Sequence, residues 1–316
     1  MKTKKYLVAG ALMLVMSSPA MAQEVNYAEA LKPIVAAIEA APNDPKAAKD
    51  LIKEYQKTFK KNEEAMVALG NVYLLQHNYD QASAIAQSVI DNKKFNGALA
   101  YILRGDIAAL KDSVGNAGAA AAEYQTAISL DPQNVTAYER YAKVYRHVNA
   151  KVAVAKLEEL RKVKPDYPVE ATAAEIMLND GKYAEALKWY NMANPANMSE
   201  DNFYNYGFAA YITKDYNKAL DVAKQGLTKF PGSEYLSRIA MMAAVELKDY
   251  PQAVNFANAV FAGKGKKVSN DYDMCAKALC GNKQYDEAVA AVNKALELDA
   301  NNLEPMKTLA AIYVAQ

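Results

Sequence analysis

Few residues in this chain stand at spacings that could do covalent or metal chemistry. His77 and His147 are the only histidines, they lie far apart, and neither has another His or Cys at metal-ligand spacing. Both read as solvent-exposed, non-catalytic side chains, with His77 near a turn between helices. Cys275 and Cys280 lie five residues apart on a predicted helix. That spacing separates them by about 500° of rotation and about 7.5 Å of rise, which an unstrained disulfide does not bridge. It is also neither a redox nor a zinc-pair spacing, so the two read as small apolar core residues. Serines occur singly, with no GxSxG elbow. Gly263-Lys264-Gly265-Lys266-Lys267 lacks the GxxxxGK(S/T) order of a phosphate loop and reads as a solvated turn. The sequence therefore supports no catalytic centre, no cofactor and no metal site, and an enzyme is not expected.

Two sets of side chains do carry binding chemistry. Arg140, Lys143 and Arg146 stand at i, i+3 and i+6 with His147 beside them, a basic stripe. Tyr204, Phe208 and Tyr211 stand at i, i+4 and i+7 and project from one side of one helix, with Tyr235 on a later helix. Tyr and Arg are favoured anchors at protein interfaces. Taken singly, each tyrosine reads as half-buried packing and each basic residue as part of a solvated face. Taken as sets, they read as a candidate partner-binding surface. The formal net charge of +1 gives no bulk electrostatic case for nucleic acid.

What must position these residues is a repeat. Lys214-Asp215-Tyr216-Asn217-Lys218-Ala219-Leu220 has counterparts at Asn78-Tyr79-Asp80-Gln81-Ala82, Lys182-Tyr183-Ala184-Glu185-Ala186, Asp249-Tyr250-Pro251-Gln252-Ala253 and Gln284-Tyr285-Asp286-Glu287-Ala288. Each is a Tyr with an Ala three residues on. Ala186, Ala219, Ala253 and Ala288 are separated by 33, 34 and 35 residues. A period in this range marks a stacked repeat, which grows without enlarging one core. An enlarged loop, Lys111 to Gly118, interrupts one copy.

Ahead of the repeats, Lys2, Lys4 and Lys5, the apolar run Tyr6 to Met16, and Ala20-Met21-Ala22 read as a secretory signal over residues 1–22. The run is too short to span a bilayer comfortably, and no later stretch approaches that length. The mature chain is expected to be soluble, in a periplasm or outside the cell, with no transmembrane span. Residues 23–62 read as an irregular helical pair. Asn26 is its first cap, with Glu29 answering as in a capping box, and Asp44-Pro45 starts its second helix. Residues 63–316 read as the repeat array.

The first helices carry Leu69-Gly70, Gly105, Tyr141-Ala142, Tyr206-Gly207 and Ala276, and Pro132, Pro165 and Pro231 follow second helices. In this order the chain resembles a tetratricopeptide-repeat protein, in seven full copies across roughly 63–302. The resemblance implies an all-α, right-handed superhelical solenoid of stacked antiparallel helix pairs, with a single helix, Leu303 to Val314, after the last copy. Small residues are expected at the helix crossings, with Ala82, Ala186, Ala219, Ala253 and Ala288 opposing them. Met241 replaces a small residue and Val154 is slipped by one, so looser packing is expected at both. The resemblance also implies a concave groove lined by first helices. Asn71, Leu74, Ile102, Asp106, Glu139, Glu175, Arg238 and Met242 would join the two sets there. The family's carboxylate clamp is not matched, since Asn71 lacks its Lys and Asn205 stands alone.

The function expected is a non-enzymatic scaffold of the cell envelope that binds protein or peptide partners. The alternatives are a small-molecule binder or enzyme using the inter-repeat groove, or an accessory region of a longer envelope protein. Asn134-Val135-Thr136 and Asn197-Met198-Ser199 are sequons, and Asp112-Ser113-Val114 resembles a short O-glycosylation acceptor.

Overall fold

The computed structural model describes residues 26–41, 44, 46, 48–111 and 116–316. The expected signal at 1–22 and the Asp112-Ser113-Val114 motif lie outside the described residues. Among the described residues there are seventeen α-helices and no strand. An opening pair, α1 (Tyr27–Ala40) and α2 (Lys49–Phe59), precedes the repeats.

The chain divides into two compact units, the second running Pro168–Gln316. In the first, the repeats are α3 (Glu63–Leu75) with α4 (Tyr79–Ile90), α5 (Ala98–Lys111) with α6 (Ala117–Leu130), and α7 (Val135–Tyr145) with α8 (Ala150–Val163). In the second they are α9 (Glu170–Asn179) with α10 (Tyr183–Met192), α11 (Glu200–Ile212) with α12 (Tyr216–Lys229), α13 (Glu234–Glu246) with α14 (Tyr250–Ala262), and α15 (Ser269–Gly281) with α16 (Tyr285–Leu298). A single helix, α17 (Leu303–Ala315), follows. These are the seven pairs and the lone helix that the period foretold.

The helix ends follow from short polar side chains. Asn62, Asn78, Asn116, Asn134, Asn149, Ser199, Asp215, Ser233 and Asp249 each accept a hydrogen bond from a first-turn backbone N–H of the helix they precede. The turn inside five of the seven repeats is built in one way. His77, Gly181, Lys214, Lys248 and Lys283 all take the left-handed conformation two residues before the repeat's Tyr. The next N–H then reaches back to the carbonyl five residues earlier, as from Asp215 to Ala210 and from Asp249 to Ala244. This Schellman-type closure satisfies carbonyls that the helix end leaves free.

Packing rests on small residues where helices approach. Ala82, Ala186, Ala219, Ala253 and Ala288 are all fully buried. Gly105 leaves room for the buried ring of Tyr124, whose nearest carbon would lie 2.3 Å from an added Cβ. First helices of successive repeats also pack on one another within each unit, so they line one face. Their starts are tied across about one repeat. Glu63 accepts from the Asn96 and Gly97 N–H groups at 3.0 and 3.1 Å, Ser233 donates to Glu200, and Asn302 donates to Ser269 at 3.3 Å.

Several local expectations are corrected. Asn26 caps α1 through the Ala28 N–H rather than through a reciprocal box with Glu29. The second helix begins at Lys49, not at Asp44, whose carboxylate instead holds the Lys46 N–H. Packing is not loosened at Met241, which is 1% exposed beside Ala257 and Met274, because a flexible thioether fills the space a small residue would leave. Ala153, Val154 and Leu157 are likewise buried.

The Gly263–Lys267 segment is not a freely solvated turn. It wraps the Glu234 carboxylate, with Gly265 N–H and Lys267 Nζ each donating at 2.7 Å. A Cβ at Gly263 would lie 2.1 Å from that carboxylate. The glycine-rich loop is thus an anion seat already filled by the chain's own glutamate. Cys275 and Cys280 are half-buried free thiols on α15, and burial pushes the Cys275 thiol up to about 11.

Candidate partner-binding surface

The aromatic set is brought together by two successive first helices of the Pro168–Gln316 unit. Tyr204 and Phe208, one turn apart on α11, have nearly parallel rings with centroids 6.2 Å apart. Tyr235, at the start of α13 and 58% exposed, meets Tyr204 edge-on at 5.9 Å. Arg238 lies over the Tyr235 ring at 5.7 Å. Tyr211 takes a different place. Its ring packs on Tyr216 at 5.4 Å and its hydroxyl donates to Glu246 at 3.3 Å.

The Tyr204–Tyr235 pair separates two open cavities. The larger, about 960 Å³, is lined in its apolar part by Tyr204, Phe208, Phe230, Ile239, Met242 and Val268. Its charges are largely matched within the protein. Arg238 donates twice to Asp271, at 2.8 and 3.1 Å, and Lys229 Nζ is ringed by the carbonyls of Pro195, Ala196 and Met198 at 3.3, 2.7 and 2.8 Å. The smaller cavity, about 510 Å³, is lined by Glu175, Asn179, Asp201, Tyr204, Asn205 and Tyr235.

The basic set is less unified. Arg140 on α7 is half-buried, with Nε 3.5 Å from Asp106 Oδ1. Asp106 also accepts from Tyr124 Oη at 2.8 Å. Burial pushes the Asp106 carboxyl up, against the pull of Arg140, Tyr124 and Lys143. Lys143 is exposed on α7. Arg146, the C-cap of that helix, and His147 just after it are exposed, with Arg146 Nε donating to His147 Nε2 at 3.0 Å. Its inner member, Arg140, thus serves the Asp106 carboxylate, while Lys143 and Arg146 stay exposed.

Sequence reasoning missed Asn179, Asp201, Phe230 and Val268. Asp201 was within reach, since it stands three residues before Tyr204 on the same helix face. Among the described residues no group of three His, Cys, Asp or Glu is placed to hold a metal. No described helix is long and apolar enough to cross a membrane.

No family model and no curated protein sequence matches this chain. Among solved structures, the tetratricopeptide-repeat protein YrrB superimposes with a TM-score of 0.52 at 15% identity, over 58% of this chain and 96% of its own. PilF of Pseudomonas aeruginosa covers 79% of this chain and 97% of its own at 15% identity, TM-score 0.49. A tetratricopeptide-repeat protein of Parabacteroides merdae covers 79% and 98% at 14% identity, TM-score 0.46. With its seven helix pairs and its likeness to YrrB, the chain has the tetratricopeptide-repeat fold. Solenoids of this kind present extended surfaces to partners.

Proposed function

We propose that this protein is a non-catalytic interaction scaffold, exported to the cell envelope under residues 1–22, that holds a peptide or protein segment on the first-helix face of its Pro168–Gln316 unit. The observation that carries this reading is the wall of Tyr204, Phe208 and Tyr235 between two open cavities. Large aromatic faces beside open space desolvate a partner side chain at little entropic cost. YrrB, which shares the fold, has a peptide-binding site described as unusual. On this reading Lys143 and Arg146, both exposed, steer approach rather than anchor the partner.

The test begins with crosslinking in intact cells and identification of the attached partner. Tyr204→Ala/Tyr235→Ala should then weaken binding of that partner by about tenfold or more. Lys143→Ala/Arg146→Ala should mainly slow association and flatten its salt dependence. Circular dichroism must show both variants folded. Wild-type binding by both would overturn the reading.

A further inference from the structure

The smaller cavity has a chemistry of its own. Glu175 and Asp201 supply two carboxylates, Asn179 and Asn205 two amides, and no basic residue stands among the residues that line it. Asn202 donates to Glu175, which fixes the direction of that carboxylate. Asn179 is the last residue of α9, so the negative end of that helix's dipole faces the same space. A second, independent feature lies at its edge. Tyr190 is 1% exposed, yet its hydroxyl has no hydrogen-bond partner of good geometry. The polar groups that act on it include Asn205 and Glu175, both cavity residues. A buried hydroxyl left in this way costs about 1–3 kcal/mol unless something reaches it. The two tyrosine rings that wall the cavity offer π faces to a cation. Tyr235 already carries one guanidinium, that of Arg238, within the protein.

We propose that this cavity receives an arginine side chain of the bound segment, with a bulky apolar neighbour of that arginine seated in the larger cavity across the Tyr204–Tyr235 wall. The proposal rests on the peptide-binding reading above and specifies its ligand. A guanidinium suits the site better than an ammonium, because its planar fork serves carboxylate, amide and hydroxyl acceptors together while stacking on a ring. The larger cavity suits an apolar group, because its own ions are matched internally.

The probe is a set of three blocked pentapeptides, acetyl-Ala-Leu-X-Leu-Ala-amide, with X as arginine, citrulline or norleucine. Each is titrated into isotope-labelled protein while the Tyr204 and Tyr235 resonances are followed. The arginine peptide should bind about tenfold more tightly than the citrulline peptide, the range of one charge-assisted hydrogen bond. Asp201→Asn, at an exposed position, should remove most of that preference. Equal affinity for arginine and citrulline, with Tyr204 and Tyr235 still responding, would overturn the arginine site and leave the peptide groove standing. No response at either tyrosine to any of the three would overturn both.

Discussion

Gly207 on α11 faces Ile239 on α13, and a Cβ added at 207 would stand 2.8 Å from Ile239 Cγ2 and 3.7 Å from the Ala219 carbonyl oxygen. The glycine therefore serves two junctions at once, the crossing inside its own repeat and the stacking of the next repeat. Gly207→Leu should overpack both and cost about 1–3 kcal/mol in thermal or urea melting. The same substitution in an Ile239→Ala background should cost less, a coupling that a double-mutant cycle reads directly. Ala219→Leu, at a fully buried site, should be destabilising on the same scale of about 1–3 kcal/mol.

The left-handed turn positions make a second prediction. Lys214, Lys248 and Lys283 hold φ values of 64°, 61° and 63°, where the equivalent residue of another repeat is Gly181 at 74°. A side chain there is strained by about 1–2 kcal/mol, part of which glycine's greater unfolded entropy offsets. Lys214→Gly and Lys248→Gly should each raise stability by about 0.5–1 kcal/mol, and Gly181→Lys should lower it by a similar amount. Urea midpoints of the three variants check the sign.

Glu234 gives the acid side of the stability curve. The Lys267 ammonium, then the Gly265 N–H, hold its carboxyl below the usual glutamate range. A depressed folded-state value means the contribution is complete above the unfolded value of about 4.3 and is lost as pH falls through the lower folded one. Glu234→Gln should be less stable than wild type at pH 7, and the gap should close below about pH 4. A gap that stays constant across that range would show that the clasp is not ionic.

The tyrosines set the alkaline limit. Burial, then the charges of Glu64 and Glu246 respectively, push the Tyr27 and Tyr211 hydroxyls up to about 12 from an ordinary value of 10.0. Folded values above the unfolded one give stability that is whole below about pH 10 and drains as pH rises toward 12. Tyr211→Phe should lessen the fall in melting temperature between pH 9 and pH 11.

Arg238 and Asp271 form a junction between successive first helices, and Asp271 is 2% exposed. Arg238→Met leaves that carboxylate with no cation and only the Val268 N–H, and should cost about 3–5 kcal/mol. Adding Asp271→Leu should recover much of the loss in chemical denaturation.

Repeat number and register were legible because five of the seven repeats mark their own turn with Tyr-x-x-Ala, and the first helices carry small residues at their crossings. The turn conformation itself was not, since nothing distinguishes Lys214, Lys248 and Lys283 from other lysines before folding. The Gly263–Lys267 loop read as a solvated turn because its filler, Glu234, lies about thirty residues upstream on another helix. The aromatic set was visible from its i, i+4, i+7 spacing, but Tyr211 shares only that spacing, and its neighbours draw it elsewhere. The basic stripe was visible from its spacing, but the carboxylate that Arg140 meets, Asp106, lies on another repeat's helix. Tyr190 was hidden for a further reason. It belongs to a second helix, and its approach to Asn205 is a property of stacking.

Tyr204 and Tyr235 sit on either side of a joint between repeats, and the cavities they divide are therefore shaped by the angle of that joint. A pull along the Pro168–Gln316 stack would act on that angle. Letting go one whole repeat would then lengthen the chain by on the order of 110 Å. If the proposed groove holds a partner, its grip would depend on strain along the stack, and mechanical load would become an input to binding.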